Sequence, residues 1–287
     1  LSKIEDDGWL YTISSERKLI DFNFKEIWRY RDLLMLFVKR DVVTVYKQTI
    51  LGPLWYLIQP LFTALTFTLI FNKVANIETG TVPPFLFNLA GVSIWNYFNT
   101  CLTATSDTFK TNAAIFGKVY FPRIIVPLSI IMSNLMKFGI QLLIFIAFYI
   151  YYYLNGAEIN ITSSVLFFPF IVLLMGLLGL GLGMIISSMV TKYRDLKFLV
   201  GFGVQLLMYV SAVMYPLTLM REKLPKISWV VEYNPLAYII ETARYMLLGT
   251  GTFSWFGIIY TVIVTLIVLF FGIIIFNRTE KTFIDTV

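Results

Sequence analysis

Apolar residues in this chain come in long unbroken runs. They show neither the alternation of half-buried strands nor the single stripe of a water-facing helix. About 20 apolar residues at ~1.5 Å each are needed to cross ~30 Å of hydrocarbon as a helix. Six runs meet or approach that length: Leu54–Phe71, Phe85–Ala104, Pro127–Tyr153, Val165–Met189, Phe198–Tyr215 and Trp255–Phe276. The second contains the most polar residues, and the third is long enough to tilt or kink. No internal repeat or low-complexity tract interrupts them. The pattern predicts an all-α integral membrane protein with about six transmembrane helices.

Two further segments have helical periodicity but are too short to span. Asn23, with Glu26 three residues on, forms a variant of a capping box. After it, Phe24, Ile27, Trp28, Leu34, Met35 and Val38 share a face, with Lys25, Arg29, Asp32 and Lys39 elsewhere. This predicts an N-terminal amphipathic helix lying in the membrane interface. In the second segment Asn234 is an N-cap, Pro235 the first helical residue and Gly249 the stop. Leu236, Ile239, Ile240, Ala243, Met246 and Leu247 make its apolar stripe, and Glu241 and Arg244 point away from it. It is expected to re-enter the membrane or lie on the outer leaflet, or else to cap the spans as a small packed helix.

Charge orients the spans. The first 53 residues hold 9 Lys+Arg and 8 Asp+Glu. Basic residues recur as Lys110, Lys118 and Arg123 between spans two and three, and as Lys192, Arg194 and Lys197 between four and five. Arg278 and Lys281 follow the last span, whereas the loop between spans three and four has no basic residue. The positive-inside rule then puts both termini in the cytoplasm. The expected organisation is a cytoplasmic N-terminal segment over 1–53, a transmembrane domain over 54–276 and a cytoplasmic tail over 277–287.

Composition agrees. Of the 287 residues, 58% are hydrophobic and only 14% charged, and Phe alone occurs 26 times. A soluble domain carries about 25% charged residues, so lipid must be much of this chain's solvent. The net charge of +6 is a topology signal and gives no reason to expect nucleic acid as a partner. A single cysteine, Cys101, excludes an intrachain disulfide, and there is no histidine. No GxxxxGK[ST] phosphate loop, HExxH, CxxC or nucleophile elbow is present, so no cofactor or metal is expected in this chain. No predicted span carries an Asp, Glu or His at its middle, where proton-coupled transporters place them. Energy for uphill transport is therefore expected from another subunit.

Candidate chemistry lies along two stripes. Gln59, Thr63 and Thr66 recur at helical spacing in the first span; Phe198, Phe202, Gln205, Tyr209 and Ala212 do so in the fifth. Such polar and aromatic faces can line a watery path and stack on sugar rings, or they can serve helix packing and interhelical hydrogen bonds. Lys137, ten residues into the third run, either contacts an anionic substrate or belongs to a span that begins later, its stem reaching the interface. Gly176, Gly179, Gly181 and Gly183, with Ser187 and Ser188, mark the fourth span for close helix packing.

Four stretches carry a family resemblance. LGPLWYLIQPL at Leu51–Leu61, preceded by RDVVTVYKQT, resembles the start of span one in ABC-2 type permeases for O-antigen, capsule and teichoic acid export. FPRIIVPLS (Phe121–Ser129), YRDLKFLVGFGVQLLMYVSAVMYP (Tyr193–Pro216) and YNPLAYIIETARYMLLG (Tyr233–Gly249) resemble that family's approach to span three, its fifth span and its outer re-entrant region. The likeness runs from about Phe22 to Phe276; one departure is Ala212, where the family often has Pro. The resemblance implies a homodimer in the bacterial inner membrane, a second copy of the chain completing a pore lined by spans one and five. It implies two separate ABC subunits that bind ATP and Mg, and a lipid-linked polysaccharide as cargo. Asn112 to Tyr120 would form a coupling helix on the ATPase, with Asn112, Ile115, Phe116, Lys118 and Tyr120 as its residues and Phe116 and Lys118 as contacts. Rival readings are an exporter of small hydrophobic drugs or lipids, and a membrane glycolipid transferase using Asp32 and Asp41.

Overall fold

A computed structural model describes residues 24–47, 52–119 and 121–283. The Asn23 cap and Tyr120 lie outside the described residues. Every regular element among the described residues is helical, and the chain is an all-α, multi-pass membrane protein.

Helices α1 (Phe24–Arg29) and α2 (Arg31–Lys47) precede the first span. A short 3-10 turn, Gly52–Leu54, leads into α3 (Trp55–Phe67), which widens into a π-helical stretch, Thr68–Val74. The chain then returns in α4 (Pro84–Ser106) and turns through α5 (Thr108–Phe116). It crosses again in α6 (Ile125–Leu154) and comes back through Ser163–Phe167 and α7 (Phe168–Lys192). Helix α8 is Leu196–Val210; α9 (Leu217–Lys223), α10 (Ser228–Glu232) and α11 (Pro235–Leu248) follow before α12 (Trp255–Phe283). One end of the bundle, called the terminal end below, gathers α1, α2, α5, the 193–195 turn and the end of α12. The distal end gathers the loops at 75–83 and 155–163 and the stretch 211–254.

Four stretches are long and apolar enough to cross a bilayer: Trp55–Val74, Ile125–Leu154, Ser163–Lys192 and Trp255–Glu280. They correspond to predicted spans one, three, four and six. The second predicted span, α4, is also long enough, but fifteen of its 23 residues are buried in protein. Its neighbours α3, α6, α7 and α11 take the place of lipid, which is why it tolerates Asn88, Ser93 and Thr105 in its interior. The fifth span stops short of its predicted end. Helix α8 has 15 residues, about 22 Å at the helical rise, and the backbone reverses at Ala212, with φ +52°. The reversal occurs without the Pro that the family pattern favours there.

Close helix packing follows the small residues. Gly181 and Gly272 bring α7 and α12 backbone to backbone: a Cβ on Gly272 would stand 2.6 Å from the Gly181 carbonyl oxygen. Gly179 and Gly183 meet α4 at Cys101 and Thr105 in the same way. In lipid, association rests on this contact because apolar burial drives little.

The predicted interfacial helix is two helices with a break at Tyr30. Its expected single apolar face divides. Leu34, Phe37 and Val38 pack on the terminal end with Phe109, Phe116, Phe121, Ile125 and Phe276, while Trp28, Met35 and Leu36 face outward.

The segment with the Asn234 cap is packed into the bundle. Asn234 does cap α11, its Oδ1 accepting from the Leu236 N–H at 3.0 Å, and Gly249 ends it in the left-handed region. Ten of its fourteen residues are buried, Glu241 and Arg244 among them. It is inserted among α4, α7 and α12, as a helix packed on the spans. Both charges lie opposite the apolar stripe, as the periodicity predicts, but that side too is covered by protein, and each neutralises the other.

Candidate functional site

Helices α3 and α8 are only lightly packed against the rest of the bundle. No residue of α8 is buried. Phe198, Phe202, Gln205 and Tyr209 are all exposed, Phe198 to 85%. On α3, Gln59 and Thr66 are exposed and Thr63 is half-buried, its hydroxyl donating to the Gln59 carbonyl at 2.8 Å. Large apolar side chains, Trp55, Phe62, Leu65 and Leu69, share that surface. The two sequence-predicted stripes therefore remain uncovered within one chain. Helices α3 and α8 have no extensive contact with each other, so the chain alone does not close a path between them.

The upper half of α3 is irregular for identifiable reasons. Pro60 lies inside the helix, where it removes a backbone donor. The π-helical stretch beyond it is held by α4: the Asn88 side-chain amide donates to Thr68 Oγ1 (3.1 Å) and Asn72 Oδ1 (2.7 Å).

The end of α8 is held by a buried polar assembly on α11. Asn234 Nδ2 donates to the Val210 carbonyl (3.1 Å) and to Ser211 Oγ (2.9 Å). The Arg244 guanidinium donates to the carbonyls of Ala212 (2.7 Å) and Val213 and to Glu241 Oε1 (3.3 Å). Its planar face lies 3.7 Å from the Phe87 ring centroid on α4. Glu241 in turn accepts from the backbone N–H of Leu217 and of Thr252, each at 3.3 Å. The carbonyls left open where α8 stops thus find donors within the protein, as their burial requires. Gly91 on α4 makes room: a Cβ there would collide with the guanidinium and stand 2.6 Å from the Val213 oxygen. Periodicity did not reveal this assembly. The local signals were the i, i+3 spacing of Glu241 and Arg244 and the lone Gly91 in α4.

At the terminal end, α5 shows two kinds of residue. Asn112 and Phe116, named as coupling residues, face inward. Phe116 is 6% exposed, packed beside Phe109 and Phe121 and beneath the Arg123 guanidinium (5.1 Å). Asn112 Oδ1 accepts from Arg40 of α2 at 3.4 Å. They anchor the helix from within, whereas Ile115 is half-buried. Lys110, Thr111, Ala114, Lys118 and Val119 form the exposed surface. Arg123 is not a simple surface charge either, since it donates to the Glu280 carbonyl of α12 at 2.8 Å. Asp107, at the junction of α4 and α5, pairs with Lys197 on the first turn of α8 at 2.7 Å. The transferase residues are apart in kind: Asp41 is held by Arg40 at 2.8 Å, and Asp32 is exposed. No cluster of three or more potential metal ligands exists among the described residues.

Residues 32–248 match the family described as ABC-2 type transporter. An O-antigen export system permease protein RfbA of Klebsiella pneumoniae is 29% identical over 256 residues, covering 88% of this chain and 94% of that protein. A protein of the same name from Myxococcus xanthus is 26% identical over 218 residues, 76% of this chain and 81% of its own length.

Proposed function

The chain belongs to the ABC-2 type transporter family, and on that premise we propose that it is the permease subunit of an ATP-driven exporter of lipid-linked, O-antigen-like polysaccharide. It is a transport subunit, and ATP and Mg belong to two separate ABC partner subunits. The similarity to O-antigen export permeases spans nearly the whole chain, which supports the cargo class. The observation that carries the mechanism is the uncovered pair of stripes on α3 and α8. Phe198, Phe202 and Tyr209 offer ring faces for sugars, and Gln59, Thr63, Thr66 and Gln205 offer hydrogen bonds. A second copy of the chain, set against this side, completes the path in the bacterial inner membrane. Both termini face the cytoplasm, as the distribution of Lys and Arg supports.

The ATPase docks on the exposed side of α5, around Lys110, Ala114 and Lys118. Its movement reaches α8 through the Asp107–Lys197 pair, and the α11 assembly fixes the far end of α8. The path must bind each sugar weakly enough to release it, which ring stacking along an exposed helix provides.

Reconstituted permease and ATPase, offered both a lipid-linked polysaccharide and a panel of hydrophobic drugs, test the reading. The polysaccharide should be moved and the drugs should not. Movement of the drugs alone would favour the small-molecule exporter and overturn this assignment.

A further inference from the structure

Lys137 is a charge inside a long apolar helix. It is the thirteenth of the 30 residues of α6, and its ammonium donates to Asn134 Oδ1 at 2.9 Å and lies 5.3 Å from the Tyr56 ring centroid. Tyr56 is the second residue of α3. The ammonium therefore stands at the terminal end of that span, one turn from Gln59 and so at the foot of the Gln59–Thr63–Thr66 stripe. It points away from Leu135, Leu143 and Ile146, the outward apolar face of α6. It is half-buried, neither free in water nor in lipid.

The charges around it do not balance. Asp41 of α2 is the carboxylate close enough to act on Lys137 electrostatically, among the described residues. That carboxylate is already held by Arg40 at 2.8 Å. Arg40, Asp41 and Lys137 together leave one positive charge at the junction of α2, α3 and α6. Of the three ammonium donors, Asn134 takes one. A half-buried cation whose ammonium hydrogen-bonds only a neutral amide favours an anion beside it, and beside Tyr56, at the start of an apolar span, the abundant anions are headgroup phosphates. Exposed Leu54 and Trp55 immediately precede Tyr56 in the chain and can hold an acyl or prenyl chain.

We propose that Lys137 and Tyr56 form a binding site for the phosphate ester of a membrane lipid at the foot of the α3 stripe. The phosphate belongs either to a bilayer phospholipid or to the lipid carrier of the exported chain; the second source rests on the export reading above. Delivering a carrier phosphate here would place its sugar chain at the beginning of the stripe.

Native mass spectrometry of the purified protein in detergent tests this, with phosphatidylglycerol and a polyprenyl diphosphate as probes. Wild-type protein should retain lipid about tenfold better than Lys137→Gln, the loss of one charge-assisted contact, while Lys137→Arg retains it. Preference for the polyprenyl diphosphate assigns the site to the carrier; equal or greater retention of phosphatidylglycerol assigns it to the bilayer. Unchanged retention of both lipids by Lys137→Gln, with an unchanged melting temperature, overturns the site. Export measured in parallel separates the two ideas. Lost retention with normal export leaves a lipid site off the cargo's route, and lost export with unchanged retention removes the site but not the export reading.

Discussion

Lys197 Nζ lies 2.7 Å from Asp107 Oδ2, joining the first turn of α8 to the junction between α4 and α5. Both side chains are partly exposed, so the pair contributes about 1 kcal/mol or less to stability. Its importance is positional. Helix α8 has no buried residue along its length, and this pair holds one end while Asn234 and Arg244 hold the other. Between these ends Val200, Val204 and Leu207 are only partly buried against the core, so the helix can move as a unit when either end is displaced.

Reversing the pair should reveal this. Asp107→Lys alone is expected to lower export while ATP hydrolysis by the complex continues. Combined with Lys197→Asp, it should regain most of the lost export, because the reversed pair restores the attraction. A double variant no better than the single one would show that the pair transmits nothing.

The interior pair on α11 should behave differently. Glu241→Gln leaves the Arg244 charge uncompensated in a dry site, an expected loss of about 3–5 kcal/mol. Arg244→Met strips the donors from the Ala212 and Val213 carbonyls and leaves the Glu241 charge without its counterpart, with a loss of similar size. Thermal melting of the detergent-solubilised protein measures both. Salt should leave these losses unchanged, since the pair is shielded from solvent.

Gly91→Ala places a methyl group against the Arg244 guanidinium and the Val213 carbonyl oxygen. Overpacking of this kind costs about 1–3 kcal/mol. Gly139→Ala on α6, whose Cβ would meet nothing within 4 Å, serves as the control and should melt like the wild type or slightly higher.

The two sides of α5 predict separable defects. Phe116→Asp buries a charge among Phe109, Phe121 and Arg123 and should lower the melting temperature. Ala114→Glu and Lys118→Glu alter the exposed side. They should weaken co-purification of the ATPase without changing the melting temperature of the permease.

The spans that face lipid were readable because lipid imposes one rule on every residue along them. Trp255–Glu280 is apolar nearly throughout, and no partner is needed to see it. Helix α4 was harder, since protein surrounds it and Asn88 can be satisfied by Thr68 and Asn72. Periodicity placed Glu241 and Arg244 on the side of α11 opposite its apolar stripe, correctly. What it could not supply is what covers that side, and here it is the reversal at Ala212 and the Phe87 ring. Phe116 shows the same limit, since a short helix between two spans reads alike whether its aromatic residue points into its own bundle or toward a partner. The α3 and α8 stripes were legible as faces, and their exposure follows from the light packing of those two helices.

Labelling with a membrane-impermeant thiol reagent tests most directly whether those faces line an aqueous path. Gln59→Cys, Phe202→Cys and Gln205→Cys should react in the assembled, membrane-embedded complex, with Leu266→Cys on the outward apolar face of α12 as the reference; the native Cys101 is buried. The account predicts labelling at the three stripe positions and little at position 266. Stripe positions as unreactive as position 266 would mean that lipid covers them, and would contradict it.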